Sequence, residues 1–415
     1  MRIVASAQTD TGVKRSHNED FVLQRPDLGL YVVADGMGGH AAGEVASQIA
    51  ALTVEENIQN NQEILSKPPS SKKNRALNRL VRESIERASQ KVYEYACSEE
   101  GKGGMGTTLS MILVVGDQGF LGHVGDSRVY LLRSGELHQL SEDHSYVEEM
   151  VRRKQMTREE ASKSPYANVI TRAVGIQASV QVDTLRFSIL TGDTLLLCSD
   201  GLSQYFDGAR QRDLVRFMSG EGLSSISHQL VEIAKERGGS DNISVILIRS
   251  EAEETKKAVE ATSSTLVNLQ FDTLRFISLF QNLDMKELVG LLEMFDTVDV
   301  EAGEYIIREK DLDKSLYVVL SGEIEVVKDQ AQVAKLGAGA HFGEMALLNS
   351  QPRSASVRAL SKSQLLVLGQ DAFKSLIDRN PRLGSKLLMT FSQVLCMRLN
   401  ETTQLPVFLT ETAEY

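Results

Sequence analysis

The stretch YVVADGMGGH, residues 31–40, decides how the chain is read. Tyr31–Ala34 form an apolar run of the kind that makes a buried strand, and Asp35-Gly36 reads as the turn that ends it. The glycines that follow suit backbone with positive φ. Alone, this is a strand and a tight turn. A carboxylate at the end of a buried strand is also placed for metal chemistry, so the question is whether other segments bring acids to it.

Several do. RSHNEDF (15–21) offers Glu19 and Asp20 beside Arg15. HVGDSRVY (123–130) places Asp126 at a turn after a strand, LLLCSDGL (195–202) ends an apolar strand in Asp200-Gly201, and GGSDNISVI (238–246) puts Asp241 just before another. Each is an ordinary turn dipeptide by itself. Converging in one domain, such acids cannot all stay ionised without cations. Hard divalent ions with oxygen ligands, Mg²⁺ or Mn²⁺, meet that need, and a pair of them activates water for attack on phosphorus. The planar fork of Arg15 suits phosphoryl oxygens.

The surrounding pattern is α+β. With 415 residues the chain exceeds one core. In residues 1–250, helical 41–59 and 74–98 are separated by a loop over 57–74, and Leu77, Leu80, Val81, Ser84, Ala88, Val92 and Tyr95 share one helix face. From Thr107 strands follow at short, glycine-containing turns, which implies antiparallel pairing. Another helix is expected near 223–237. The expected fold is an antiparallel β-sandwich flanked by helices (αββα). Residues 251–270 read as a linker, and 271–415 as a small β-roll with helices, punctuated by Gly303, Gly322, Gly337, Gly339 and Gly343.

Composition narrows the class. The net charge of −11 gives no basic concentration for nucleic acid. Cys97, Cys198 and Cys396 fit neither a disulfide framework nor a zinc site. No apolar run approaches the roughly 20 residues of a membrane span, and MRIVASAQTDTG lacks a signal-type apolar core. The expectation is a cytoplasmic protein with no membrane partner.

Together GVKRSHNEDF, VVADGMGGHAAGEVAS, GMGTTLSMILV, HVGDSRVYLLR, LSEDHS, LLLCSDGLSQ and GGSDNISVI occur in the order of the type-2C (PPM) metal-dependent protein serine/threonine phosphatases, which residues 1–250 resemble. The resemblance implies that Asp35 bridges two core metals, that Gly36 contributes its carbonyl, that Glu19 supports the second, and that Asp200 and Asp241 hold the first. It makes Arg15 the phosphate holder, Asp126 with Asp200 a third, weaker metal site, and 144–180 a flap near the substrate. One departure stands: Met37 follows Asp-Gly where many eukaryotic members carry a histidine. His40 is the nearest and reads as a helix-start or packing residue; a metal-bound water is the acid that could protonate the leaving alkoxide. His123, His144 and Cys198 read as structural.

HFGEMALLNSQPRSASVRA (341–359) pairs Glu344 with Arg353 across a short helical turn. An Ω-loop with an incidental salt bridge is one reading; an anion cradle is the other. The stretch resembles the phosphate-binding cassette of cyclic nucleotide-binding domains. That implies Glu344 on the ribose 2′-OH, Arg353 on the cyclic phosphate, backbone contacts around Gly343, Ala346 and Ala355, and Ser354 where purine preference is set; cAMP and cGMP stay open. The 382–401 helix is read as a lid over the base or, through Leu383, Leu387, Phe391, Leu395 and Leu399, a homodimer surface. The whole reads as a phosphatase acting on phosphorylated proteins under cyclic nucleotide control. The rivals are a pseudophosphatase scaffold and an active enzyme with a ligand-free docking module.

Overall fold

The structure is a computed structural model. It describes residues 1–38, 42–68, 70–98, 104–252, 294–329, 331–348 and 352–403, together with residues 274, 277, 279, 280, 282, 283 and 285–292. His40 and 253–270, most of the expected linker, lie outside the described residues. The chain divides into two compact units, Met1–Thr262 and Ser263–Tyr415.

The first unit is built from β1 (Arg2–Asp10), β2 (Asp20–Arg25), β3 (Leu30–Met37), β4 (Gly106–Thr107), β5 (Leu109–Val115), β6 (Gln118–Val124), β7 (Arg128–Arg133), β8 (Glu136–Gln139), β9 (Asp183–Ser188), β10 (Thr194–Cys198) and β11 (Ile243–Glu251). One sheet runs β1-β11-β10-β7-β8, the other β2-β3-β5-β6-β9, with β4 on β3. Helices α1 (Ala42–Asn60), α2 (Gln62–Ser66) and α3 (Ser71–Ser98) come next in sequence after β3. Leu30 and Val32 of β3 pack in one core with Ala46, Ala50, Leu77, Val81 and Ala88 of α1 and α3. On the other sheet, Leu196, Cys198, Val245 and Leu247 pack with Ile226, Leu230 and Ala234 of the helix Leu223–Glu236. The intervening residues Leu195, Leu197, Ile246 and Ile248 are buried as well. Side chains alternate across a strand, so these strands are covered on both faces, which is why they read as unbroken apolar runs. The expected α+β sandwich flanked by helices is borne out.

Two local expectations are corrected. The 57–74 loop is mostly helical: α1 runs to Asn60 and α2 follows. Asp35-Gly36 is not a turn either. Strand β3 continues through both residues to Met37, Asp20 standing opposite Asp35 and Gly36 opposite Thr107. Glycine is required there for space: a Cβ on Gly36 would lie 2.1 Å from the Gly43 carbonyl oxygen and 2.5 Å from that of Glu19.

The remaining helices of this unit are α4 (Tyr146–Arg152), α5 (Arg158–Ser162), α6 (Asp200–Ser203), α7 (Gln211–Met218) and α8 (Leu223–Glu236). Helices α4 and α5 lie within 144–180, the segment expected to form the flap.

The second unit is a β-roll of two four-stranded sheets. One contains strands Asp296–Val300, Ser363–Gly369, Ser315–Ser321 and His341–Phe342; the other contains Tyr305–Ile307, Ser356–Ala359, Ile324–Lys328 and Ala331–Leu336. Val300, Val319, Ile324, Val357 and Leu365 form its core. Helices Gln370–Arg379 and Pro381–Thr403 follow. Leu383, Leu387 and Phe391 are buried, and Phe391 stacks on Phe373 at 5.5 Å. The stripe expected to serve a homodimer is thus spent, as far as Phe391, inside its own unit. Among the described residues no helix is long and apolar enough to cross a membrane.

Candidate active site

The strand registers bring the acids to one end of the sandwich. Asp20 opens β2 opposite Asp35 near the end of β3. Cys198, the last residue of β10, pairs with both Arg128 at the start of β7 and Val245 of β11. Asp200, Asp126 and Asp241 therefore leave neighbouring strand ends. Glu19 and Arg15 sit on the loop that enters β2.

Backbone bonds fix this loop. Glu19 N–H donates to Asn242 Oδ1 (2.8 Å), and Glu19 O accepts from Ser47 Oγ (2.7 Å) and Gly36 N (3.1 Å). Asn242 Nδ2 donates to the carbonyls of Thr11 and His17, both at 2.9 Å. The Glu19 carboxylate accepts from Gly43 N–H at the start of α1, where the helix N-terminus favours an anion. Asp35 N donates to Thr108 Oγ1 (3.0 Å).

Electrostatics show how crowded the acids are. Burial, then Asp20, Asp200, Asp126 and Asp241, pushes the Asp35 carboxyl well above the usual range. Burial and Asp200 push Asp126 to about 7. Burial and Asp241 raise Asp200, a hydrogen bond from Asp35 offsetting part of this. Glu19 is raised by burial, with Arg15 opposing. Arg15 is engaged with Asp241, Nη2 donating to Oδ2 at 2.8 Å. Arg128, the other arginine acting on the cluster, is committed to Asp143 (2.8 Å) and Asp207 (2.5 Å).

Asp20 is the residue that sequence reading left without a role. It is buried; Ser199 Oγ donates to its Oδ2 (2.8 Å) and its Oδ1 has no hydrogen-bond partner. Burial, then Asp200 and Asp241, drives it to about 7, with hydrogen bonds from Ser244 and Ser199 opposing. Asn242 and Ser199 were missed too. Their signal was faint: each is a small polar residue adjoining a motif aspartate. Cys198 is core, its thiol pushed by burial up to about 12, which fits no nucleophile.

The residues fit divalent cations in chemistry. The donor set is all oxygen, the carboxyls are forced toward protonation, and Asp20 Oδ1 and Asp200 Oδ1 are buried without partners. As arranged, no three described His, Cys, Asp or Glu side chains form a closed cage; Arg15 neutralises Asp241 instead.

In the second unit, Glu344 and Arg353 are both buried. Arg353 donates to Asp313 Oδ2, to Ser315 O (2.5 Å) and to Gly343 O (3.2 Å), while its Nε, also buried, has no acceptor. Gly343 has φ +85° and a Cβ there would lie 2.6 Å from the guanidinium. Glu344 precedes the helix Met345–Leu348, where Ala346 is buried; His341 Nδ1 is 3.6 Å from its Oε2. Ser354 is exposed and Ala355 partly so.

Known proteins with the same pattern decide the family. The family model described as protein phosphatase 2C matches residues 13–247. The chain belongs to the protein phosphatase 2C family. It is a serine/threonine phosphatase, as expected, and a second family model, the cyclic nucleotide-binding domain, matches residues 297–380. The phosphatase is 37% identical over 247 residues to serine/threonine phosphatase stp of Listeria welshimeri, covering 59% of this chain and 94% of the relative. It is 33% identical to the crystal structure of the Mycobacterium tuberculosis serine/threonine phosphatase PstP/Ppp, with TM-score 0.54, covering 60% of this chain and 99% of that one. A structure of the PstP catalytic domain in complex with two manganese ions matches at 32% identity and TM-score 0.51, covering 60% and 99%.

Proposed function

We propose that this phosphatase hydrolyses phosphoserine and phosphothreonine on proteins with two Mn²⁺ or Mg²⁺ ions held by Asp35, Glu19, the Gly36 carbonyl, Asp200 and Asp241, and a third held more weakly by Asp126 with Asp200. The observation that carries the reading is the convergence of buried, mutually repelling carboxyls at one sheet end. Bound there, the ions supply an activated water for in-line attack on phosphorus. Arg15 leaves Asp241 to orient the phosphoryl oxygens. Asn242 and Ser47 keep Glu19 in place, and Ser199 holds Asp20 against the cluster. The catalytic domain spans 1–250, joined by a linker at 251–270 to a nucleotide domain at 271–415, and the protein works in the cytoplasm.

We further propose that the second domain binds cAMP or cGMP and sets the rate of the first. Arg353 meets the cyclic phosphate, Glu344 the ribose hydroxyl, the Gly343, Ala346 and Ala355 backbone completes the cradle, and Ser354 lies where purine preference is set. Support comes from the family match over 297–380 and from the burial of both polar anchors. The decisive experiment is turnover of a small aryl phosphate and a phosphopeptide by the full chain, with and without Mn²⁺ and each cyclic nucleotide. Metal-independent or absent turnover sinks the two-metal reading; a rate indifferent to both nucleotides, with no binding by calorimetry, sinks the regulatory one.

A further inference from the structure

His144 is buried and belongs to no motif acid, yet it sits where two functional parts meet. Its backbone N–H donates to Gly125 O (2.7 Å), and its ring Nδ1 accepts from Gly125 N (3.1 Å). Both polar backbone atoms of the residue before Asp126 are therefore held by one side chain and its own main chain. An Nδ1 that accepts places the ring proton on Nε2, which faces Asp183 Oδ2 at 3.4 Å. On its other side, His144 O accepts from Thr171 N (2.7 Å), Ser145 bridges Ile170, and Tyr146 N donates to Val169 O (2.8 Å). These contacts close the root of the flap.

The residue after Asp126 is held as firmly. Ser127 Oγ shares a hydrogen bond with Thr108 Oγ1 (2.7 Å), and Ser127 O accepts from Ser110 Oγ (3.1 Å). Ser110 Oγ also bonds His123 Nδ1 (2.9 Å), whose ring lies 4.8 Å from that of His144. Thr108 is the same residue that receives Asp35 N–H. Gly125, at φ +112°, is pressed against it, with space for a Cβ only 2.5 Å from Thr108 Cβ. Asp126 is thus clamped between a residue tied to the flap root and one tied to the Asp35 strand.

We propose that His144 is a positioning residue for the phosphatase reaction, coupling the flap root to the aim of Asp126 through its Nδ1 bond to Gly125. This rests on Asp126 serving a metal as proposed above. The geometry separates the ring's two nitrogens: an Asn amide oxygen can replace Nδ1 as acceptor for Gly125, whereas a Gln amide reaches only toward the Nε2 position. In the full chain, His144→Asn should keep kcat within about 3-fold of wild type, and His144→Gln should lower it by about 10-fold or more, the usual scale for lost outer contacts to a metal ligand, with KM for an aryl phosphate little changed. Hydrogen exchange at the Gly125 amide should stay slow in the Asn variant and quicken in the Gln variant. Equal kcat in the two variants, both folded by thermal melting, overturns the proposal.

A measurement on the wild type covers the case in which a variant fails to fold. Titration with Mg²⁺ alone should move the Gly125 amide and the His144 Nδ1 nitrogen resonances over the same concentration range; an unmoved Nδ1 overturns the proposal. Asp126→Asn distinguishes the two layers. If it slows turnover while His144→Gln does not, only the role of His144 fails. If Asp126→Asn matches wild type at every Mn²⁺ concentration, the Asp126 site fails and the proposal with it.

Discussion

Asp35 and Asp200 stand close enough that one hydrogen bonds to the other while both are pushed toward protonation. Replacing either by Asn removes a repelling charge and a candidate ligand together. Asp35→Asn and Asp200→Asn are expected to lose metal-dependent turnover while the metal-free protein melts at the same or higher temperature; wild-type turnover at saturating Mn²⁺ would count against both roles. Asp20 adds a pH test. Its folded value of about 7 lies above the ordinary 3.8, so the folded state keeps a proton that the unfolded chain has released. That stabilisation is complete below about pH 4 and lost as pH rises through 7. The metal-free melting temperature should fall over this window, and Asp20→Asn should fall less steeply. Arg15 is paired with Asp241, which is proposed to hold a metal. Arg15→Ala should tighten Mn²⁺ binding by about 1.5- to 5-fold, the scale of a part-exposed ion pair, whereas the same charge change at exposed Lys14 should not; calorimetry on both variants decides.

At the level of elements, the site depends on strand β3 running close under α1 and on the β2 entry loop being tied to β11. Asn242 makes that tie with three hydrogen bonds of 2.8–2.9 Å. At about 0.5–1.5 kcal/mol each, Asn242→Ala should cost about 2–4 kcal/mol in urea unfolding and raise KM as Arg15 loses its platform. In the β-roll, Arg353 links the cassette to Asp313 on the segment before the Ser315 strand. Arg353→Ala is expected to weaken cyclic nucleotide binding by about 2–5 kcal/mol, the cost of truncating a buried charge pair, leaving nucleotide-free phosphatase activity in place. Unchanged affinity in calorimetry would remove the cassette assignment.

For the whole molecule, the relatives matter physically: phosphatase stp of Listeria welshimeri is covered over 94% of its own length by a match spanning 59% of this chain. A chain ending at 262 should therefore fold and turn over substrate. Coupling between ligand sites typically amounts to about 1–3 kcal/mol, so in the full chain a cyclic nucleotide is expected to raise phosphopeptide turnover about 5-fold or more. Truncation should raise basal activity and erase the response. Equal rates for both chains, with and without nucleotide, would mean two independent domains.

The sandwich and the roll were legible along the chain, because apolar runs and glycine-marked turns are local signals that act within a few residues. The motifs around Asp35, Asp126, Asp200 and Asp241 were legible there too, each acid lying within a strand or two residues from the end of one. Register and distance came only with the folded chain. Asp35-Gly36 looks like a turn until β4 pairs with it and Gly43 closes over it. Asp20 is one acid of a Glu-Asp pair until it faces Asp35 across the ladder and takes a hydrogen bond from Ser199, 179 positions away. Asn242 holds a loop 223 positions distant, and His144 grips the Asp126 turn from the flap root. Such contacts join segments that no local pattern relates, so they exist only once long-range pairing has set which atoms meet.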